Sequence, residues 1–181
     1  MLYVNQLKKW QFDIFLMVLF FICYDGIMNY KRIYADGYSY YLTLVTYRRE
    51  PILIDNIALL RDSFRRSKQR YVYDIDAIVI LPDHIHMIIR PKIASEYSKI
   101  IRHIKRSFVY GLDKQSKEIA KNSLGYKKHS RGHAGVWQER FYEHTIRDEK
   151  DYLEILNYMK YNPVKHGYIE DIEDWEYSSF T

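Results

Sequence analysis

The chain has 181 residues, of which 48% are hydrophobic and 28% charged, which suits one globular domain with or without an appended segment and excludes global disorder. Its 28 Lys and Arg residues against 23 Asp and Glu residues give a net charge of +5, which favours an anionic partner. The single cysteine, Cys23, excludes an internal disulfide and a zinc ribbon and fits a reducing, cytoplasmic setting.

An apolar segment near the start differs in composition from the rest of the chain. The run from Ile14 to Tyr24 holds 11 residues, short of the roughly 20 that a membrane-spanning helix needs, and no small-x-small cleavage site follows it. It fits a hydrophobic anchor, a core helix, or translation from a start site placed too early. Met28 then opens a polar lead-in, so we expect residues 1–27 to be an extension and residues 28–181 to form the functional domain.

Hydrophobic periodicity from Gly37 onward predicts alternating strands and helices. The predicted strands cover residues 38–47, 71–81, 84–90 and 136–147. The predicted helices open at Pro51, at Ser95 as a cap, and at Asp148, the last ending at Pro163. Residues 113–135 are expected to form a polar loop, and 164–181 an irregular tail anchored by Trp175 and Phe180. This order predicts an α+β fold, a ferredoxin-like or RRM-like antiparallel sheet with helices on one face and no membrane segment.

Two histidines, His84 and His86, are the sharpest local feature. Side chains alternate along a strand, so this pair projects from one face while Ile85 projects from the other. Two neutral imidazoles at i and i+2 are close enough to share one metal ion. Two ordinary surface histidines remain the alternative interpretation.

A second feature lies at the predicted end of the last helix. Tyr158 and Asn162 are four residues apart and therefore share a helix face. A phenol can act as a nucleophile, and an amide oxygen can act as a hard metal ligand. Asn162 before Pro163 is equally a common way for a helix to end.

Basic residues concentrate in one part of the chain. Residues 96–135 carry ten Lys or Arg and three acidic residues, a net charge of +7, which leaves −2 for the remainder. Such localisation favours a phosphate backbone as the partner, although a solvated helix face explains the first four cations almost as well. The residues expected to bind DNA are Lys99, Arg102, Lys105, Arg106, Lys127, Lys128, Arg131 and Arg140.

Several motifs together give the chain a specific resemblance. They are Leu81-Pro82-Asp83-His84-Ile85-His86, the segment from Val136 to His144, Ile146-Arg147-Asp148 with Tyr152, the segment from Tyr158 to Gly167, and the tail from Asp174 to Phe180. Over about residues 28–180 the chain resembles the REP-associated tyrosine transposases, a branch of the single-tyrosine HUH nucleases. Residues 1–27 match nothing in the family pattern, and the loop 113–135 is longer and more basic than that pattern.

This resemblance implies a function and roles for the residues. It implies a nuclease fold of the HUH type in which His84 and His86 are metal ligands, Asn162 completes the site, and Tyr158 is the nucleophile. The implied activity is transesterification of single-stranded or hairpin DNA through a 5′-phosphotyrosine link. The implied cofactor is Mg²⁺ or Mn²⁺, and Mn²⁺ also suits the imidazole ligands. Relatives differ in whether the nucleophile helix serves its own or a partner's site, so a monomer and a homodimer both remain open.

Two other classes of function compete with this one. A non-catalytic nucleic-acid-binding module can share the ferredoxin-like fold, but it needs no paired histidines. A metal-dependent phosphohydrolase would need several carboxylates near the histidines, and only Asp83 is adjacent to them. A covalent protein–DNA adduct would distinguish the transposase from both.

A truncated protein that begins at Met28 should keep its free energy of unfolding and its DNA affinity. The reason is that the apolar run matches no part of the family pattern. Urea unfolding and a DNA-binding titration of the truncated and full-length chains would measure both quantities. Aggregation of the truncated protein, or a loss of several kcal/mol, would show that the run belongs to the core.

Overall fold

The computed structural model describes residues 34–122 and 135–180. The strands are β1 (Tyr40–Val45), β2 (Tyr73–Ile80), β3 (His84–Pro91) and β4 (Tyr142–Thr145). The α-helices are α1 (Ile57–Arg70), α2 (Tyr97–Gly111), α3 (Lys114–Asn122), α4 (Glu149–Lys160) and α5 (Asn162–Lys165). Short 3₁₀ helices span Tyr47–Arg49, Ala94–Glu96 and Ile172–Asp174. Within the described ranges, no helix is both long and apolar enough to cross a membrane. The apolar run 14–24 and the expected boundary at residue 28 lie outside those ranges.

The four strands form one antiparallel sheet in the order β2-β3-β1-β4. Because the chain runs β1-α1-β2-β3-α2-β4, this is the ferredoxin-like arrangement, and the predicted α+β class is confirmed. The two central strands are β1 and β3, and their register places Thr43 opposite His86 and Leu42 opposite Met87.

One face of the sheet carries the hydrophobic core. The side chains of Leu42 and Leu44 on β1 and of Ile85 and Met87 on β3 share that face and are fully buried. Helices α1 and α2 cover it with apolar residues at helical spacing. The buried residues that these two helices contribute to the core are Leu60, Phe64, Tyr97, Ile100, Ile101, Ile104 and Phe108.

The opposite face carries Tyr41, Thr43, His84 and His86. Helix α4 lies on this side, because the Tyr158 ring is 6.4 Å from the Tyr41 ring and 5.4 Å from the His86 ring. The prediction that the helices cover one face is therefore confirmed for α1 and α2. The helix α4 packs on the other face.

Several predicted boundaries are wrong, each for a local reason. Residues 53–56 form turns and residues 51–52 have no regular structure, and the Leu53 amide donates to the Pro82 carbonyl instead of within a helix. Ser95 does not cap α2, which follows a 3₁₀ turn and has no side-chain cap. The expected polar loop begins with helix α3, whose first turn is tied to the Asp113 carboxylate by the Ser116 amide and hydroxyl. Of the predicted strand 136–147, only β4 pairs as a strand.

The tail after α5 is anchored at the free edge of β2. The Trp175 indole donates to the Ile80 carbonyl at 2.9 Å, and the Ile80 amide donates to the Tyr177 carbonyl. The predicted anchoring by Trp175 is thus confirmed, while Phe180 is half-buried. This contact fixes the tail beside the strand that leads into the paired histidines.

Asp151 joins α4 to β4. Its buried carboxylate accepts hydrogen bonds from His144 Nε2 at 2.8 Å and from the Arg147 backbone amide at 3.0 Å. Asp148 caps the same helix by accepting from the Asp151 amide. Burial acts to raise the pKa of Asp151, but these contacts outweigh it and hold the pKa below its usual value.

Asp151→Asn should lower the free energy of unfolding by about 2 kcal/mol at neutral pH, because hydrogen bonds to a charged group contribute on that order. A depressed folded-state pKa stabilises the fold above the unfolded value of about 4. That contribution is lost as the pH falls through the folded pKa, so the deficit should shrink in acid. Urea unfolding across that pH range measures it. Glu149→Gln, at an exposed acid of the same first turn, should change little.

Candidate active site

The paired histidines are buried, not ordinary surface residues. His84 and His86 are 1% and 0% exposed, and their ring centroids are 4.8 Å apart. They stand on one face of β3 because a strand repeats every two residues, as the sequence predicted. Burial lowers the pKa of both, and that of His86 falls well below its ordinary value. Both rings are therefore neutral at pH 7.

Each histidine is oriented by a partner at Nδ1. His84 Nδ1 lies 2.6 Å from Asp83 Oδ1, while His86 Nδ1 lies 2.7 Å from the Tyr41 hydroxyl and 3.0 Å from that of Thr43. Engagement of Nδ1 leaves Nε2 of each ring for another ligand. His86 Nε2 is buried and has no hydrogen-bond partner within the described ranges.

Asn162 is brought to the same place, although not on the same helix as Tyr158. Helix α4 ends at Lys160, and Asn162 opens α5 after Tyr161. The helical φ and ψ of Tyr161 (−85° and −2°) keep the two side chains on one side. Asn162 is fully buried, and neither its Oδ1 nor its Nδ2 meets hydrogen-bond geometry with a partner among the described residues, although its amide lies close enough to Tyr158 and His84 to act on their pKa values.

Tyr158 is buried against the histidines. Its side chain is only 7% exposed, and burial raises its pKa to about 12. The amide of Asn162 and the charge of Arg49 oppose that rise. Lys165 Nζ also lies 5.4 Å from the centre of the Tyr158 ring. Of the other tyrosines of this region, Tyr161 is 52% exposed.

The donor set fits a divalent metal ion. Unpaired buried polar atoms are costly, and here His86 Nε2 and Asn162 Oδ1 are both buried and unpaired within the described part of the chain. In those ranges no three His, Cys, Asp or Glu side chains group around one point. The available donors are thus two imidazoles and an amide, with Asp83 and Tyr41 orienting the imidazoles.

Arg49 and Asp83 form an ion pair next to the histidines. Arg49 Nε lies 2.5 Å from Asp83 Oδ2. Burial acts to raise the pKa of Asp83, but its contacts with His84 and Arg49 outweigh this and lower it. Arg48 and Arg49 both have positive φ, 57° and 61°, which costs on the order of 1–3 kcal/mol for each non-glycine residue.

Another histidine adjoins the site from α5's C-terminal end. The His166 ring is 5.2 Å from the His84 ring and stacks on Tyr168, which stacks in turn on Trp175. Burial lowers the pKa of His166 to about 4. The tail thereby places a stack of aromatic rings beside the histidine pair.

The predicted DNA-binding residues are not gathered in one place. Lys99, Arg102 and Arg106 line a groove of about 850 Å³ between α1 and α2, on the helical side of the sheet. Lys105 instead donates to the Gln138 carbonyl at 2.9 Å. Arg140 is exposed in the segment before β4. The remaining three, Lys127, Lys128 and Arg131, lie outside the described residues.

Sequence reasoning missed three sets of residues. Arg66 and Arg70 of α1 complete the basic groove, and their spacing of four was a usable signal. Arg49 enters the site through the turn after β1, which no periodicity indicates. Tyr41 and Thr43 were recognisable only once β1 was paired with β3.

The chain is similar to one family of transposases and to several known proteins. Residues 34–162 match the family described as "Transposase IS200 like". The chain is 40% identical over 154 residues to a Haemophilus influenzae protein assigned to the REP-associated tyrosine transposases, covering 84% of this chain and 85% of that one. It is 32% identical over 154 residues to the REP-associated tyrosine transposase of Escherichia coli, covering 84% and 82%. A solved structure of a REP-associated tyrosine transposase bound to a REP hairpin superposes with a TM-score of 0.68 at 31% identity, covering 85% and 83%.

Proposed function

The chain belongs to the REP-associated tyrosine transposases, within the IS200-like transposase family, and from this membership we propose that it cleaves single-stranded DNA at hairpins. The reaction is a transesterification in which Tyr158 becomes joined to the 5′-phosphate of the cut strand. A solved relative was bound to a REP hairpin, which supports a hairpin as the substrate class.

The observation that carries this proposal is the convergence of four buried groups. His84, His86, Tyr158 and Asn162 come from β3, α4 and α5, yet their side chains meet on one side of the sheet. Burial of such polar groups costs stability unless they are paired. Their placement on the face away from the core is therefore best explained by a ligand they bind in common.

The reaction exchanges one phosphate ester bond for another. The Tyr158 oxygen bonds to phosphorus as the bond between phosphorus and the 3′-oxygen breaks. The phenol proton passes to solvent, and the leaving 3′-oxygen takes up a proton from water, which gives a free 3′-hydroxyl. Because the phosphotyrosine keeps the ester, the reverse attack by a 3′-hydroxyl rejoins the strand without ATP.

Arg49 and Lys165 assist the phenol. Burial raises the pKa of Tyr158 to about 12, so loss of its proton at pH 7 needs nearby positive charge. The charge of Arg49 opposes that rise, and the Lys165 ammonium lies over the ring. Both groups favour the phenolate during attack.

His84, His86 and Asn162 are the residues that would hold a divalent ion, Mg²⁺ or Mn²⁺. Such an ion supplies Lewis-acid polarisation of the phosphate and stabilises charge on the leaving oxygen. Asp83 and the Tyr41 hydroxyl keep the two imidazoles in the required orientation.

The groove between α1 and α2 is proposed to hold the duplex stem of the hairpin. Among the residues that the structure describes, five cations and no acidic residue line it. They are Arg66, Arg70, Lys99, Arg102 and Arg106. Phosphate contacts of this kind supply affinity without reading sequence.

Tyr158→Phe should abolish the covalent DNA adduct, because the change removes the attacking oxygen and little packing. Hairpin DNA with unpaired flanks, labelled at its 3′ end, is incubated with protein and Mn²⁺ and separated under denaturing conditions. The 3′ label should migrate with the parent protein, whereas a 5′ label should leave on a short free fragment.

Tyr161→Phe is the matched control for this experiment, since Tyr161 is exposed and adjacent to the site. It should retain the adduct in full. A peptide map that places the DNA-linked phosphotyrosine at Tyr152 or Tyr161 would contradict the assignment of Tyr158.

His84→Ala should reduce cleavage at least ~10²-fold while leaving hairpin affinity within about threefold of the parent. The histidines act on charge that develops during the reaction, whereas affinity comes from phosphate contacts elsewhere. Single-turnover cleavage and a binding titration separate the two quantities. Parent-like cleavage in both Mg²⁺ and Mn²⁺ would refute the metal assignment.

Replacing Arg66, Arg70 and Arg102 with Ala should flatten the dependence of log K on log salt. Each lost duplex phosphate contact reduces the slope by roughly 0.9. Binding titrations at several salt concentrations measure the slope. Replacing Arg61, Arg65 and Lys68 removes the same charge from exposed positions of α1 outside the groove and should flatten it less. Equal slopes for both triple variants would exclude the groove as the stem site.

A further inference from the structure

Arg49 ends the turn after β1, and that turn is held in place from several sides. The Thr46 hydroxyl donates to the Asp83 and Glu50 carbonyls at 2.9 and 2.8 Å. The Tyr47 amide donates to the Val136 carbonyl at 3.0 Å. These bonds keep Arg48 and Arg49 in the left-handed region, where non-glycine residues rarely lie. Strain that the surroundings maintain in this way concentrates at functional sites.

The Arg49 guanidinium is only partly satisfied. Its Nε contacts Asp83, but its Nη1 is buried and has no hydrogen-bond partner among the described residues. A guanidinium carries five donors in a rigid fork, and an ion pair that served stability alone would engage more of them. The side chain as a whole is 33% exposed although Nη1 itself is buried, so a phosphate that enters the site from solvent can contact the guanidinium.

The charge of Arg49 acts on the reacting groups. Burial raises the pKa of Tyr158, and the positive charge of Arg49 opposes that rise. The same guanidinium is linked to His84 through the shared Asp83 carboxylate. The Asp83 carboxylate therefore holds the Arg49 guanidinium beside His84, one of the proposed metal ligands.

We infer that Arg49 is a catalytic residue that donates from Nη1 to a non-bridging oxygen of the scissile phosphate. In the proposed reaction Tyr158 would attack phosphorus. A divalent ion held by His84, His86 and Asn162 would polarise one non-bridging oxygen. A phosphodiester in that place has a second non-bridging oxygen, and the unpaired Nη1 is a donor available for it. The donors of a planar guanidinium match the geometry of phosphate oxygens. Its positive charge offsets the negative charge that develops on those oxygens as phosphorus is attacked. This inference rests on the proposed transesterification.

Its test uses the full chain and a hairpin substrate in three forms. One carries an ordinary scissile phosphodiester, and the other two carry the Rp or the Sp methylphosphonate, in which a neutral methyl replaces one non-bridging oxygen. Arg49→Ala should cleave the phosphodiester about 100-fold more slowly than the parent at saturating DNA. On the isomer that lacks the oxygen facing Arg49, the parent and the variant should differ by less than about threefold. The hairpin affinity of Arg49→Ala should stay within about threefold of that of the parent.

Two further variants control for folding and for charge. Arg48→Ala alters the neighbouring exposed arginine of the same strained turn and should cleave like the parent. Arg49→Lys keeps the charge beside Asp83 but lacks the fork, and should lose about tenfold. Thermal unfolding of each variant shows whether a loss of cleavage follows from a loss of folding.

Several results would overturn the inference. They are parent-like cleavage of the phosphodiester by Arg49→Ala, a deficit that persists on both isomers, and failure of the parent on both isomers. Formation of the Tyr158 adduct by the parent on the ordinary phosphodiester is the positive control. If the parent itself forms no adduct, the proposed function fails; if it does and Arg49→Ala matches it, only the role of Arg49 fails.

Discussion

Strand β3 contributes to the core and to the candidate site at once, because successive side chains leave opposite faces of the sheet. Ile85 and Met87 are buried under α1 and α2, while His84 and His86 face α4. A slip of one residue against β1 would turn both histidines into the core and both apolar side chains into the site. The burial of apolar area that stabilises the fold therefore also specifies where the imidazoles stand. In this register Thr43 lies opposite His86, and its hydroxyl contacts His86 Nδ1.

Asp83 links the orientation of His84 to the position of the Arg49 charge. Its two carboxylate oxygens contact different partners, Oδ1 the His84 ring and Oδ2 the Arg49 guanidinium. One carboxylate thereby orients a ring on β3 and holds a side chain from the turn after β1. The Thr46 hydroxyl, which donates to the Asp83 carbonyl, couples the same two segments through the backbone. Movement of either segment would disturb both the imidazole and the guanidinium.

Much of the fold follows from sequence periodicity, while the site depends on contacts between distant segments. The alternation in β3 and the helical repeats of α1 and α2 are local, so the α+β class and the order of the elements along the chain were predictable. Helix α3 was missed because its only strong signal is a single capping residue, Asp113, ahead of a polar segment. The pairing of Tyr158 with Asn162 was predictable from their spacing. The position of Arg49 was not, because a left-handed turn at non-glycine residues has no sequence signature.

The surroundings of Tyr158 explain why positive charge is needed on the substrate side of the site. A phenol buried to 7% exposure, with a pKa of about 12, stays protonated at neutral pH, which would keep the proposed nucleophile inert without DNA. When a phosphodiester arrives, a phenolate and a phosphate come within a few ångströms of each other. Their repulsion at about 4 Å amounts to roughly 4 kcal/mol at an effective dielectric constant of about 20. Asn162 alone cannot offset this, because an amide is neutral. The cations Arg49 and Lys165 can, and the side chain of Arg49 reaches both the Asp83–His84 pair and the solvent side from which DNA must come.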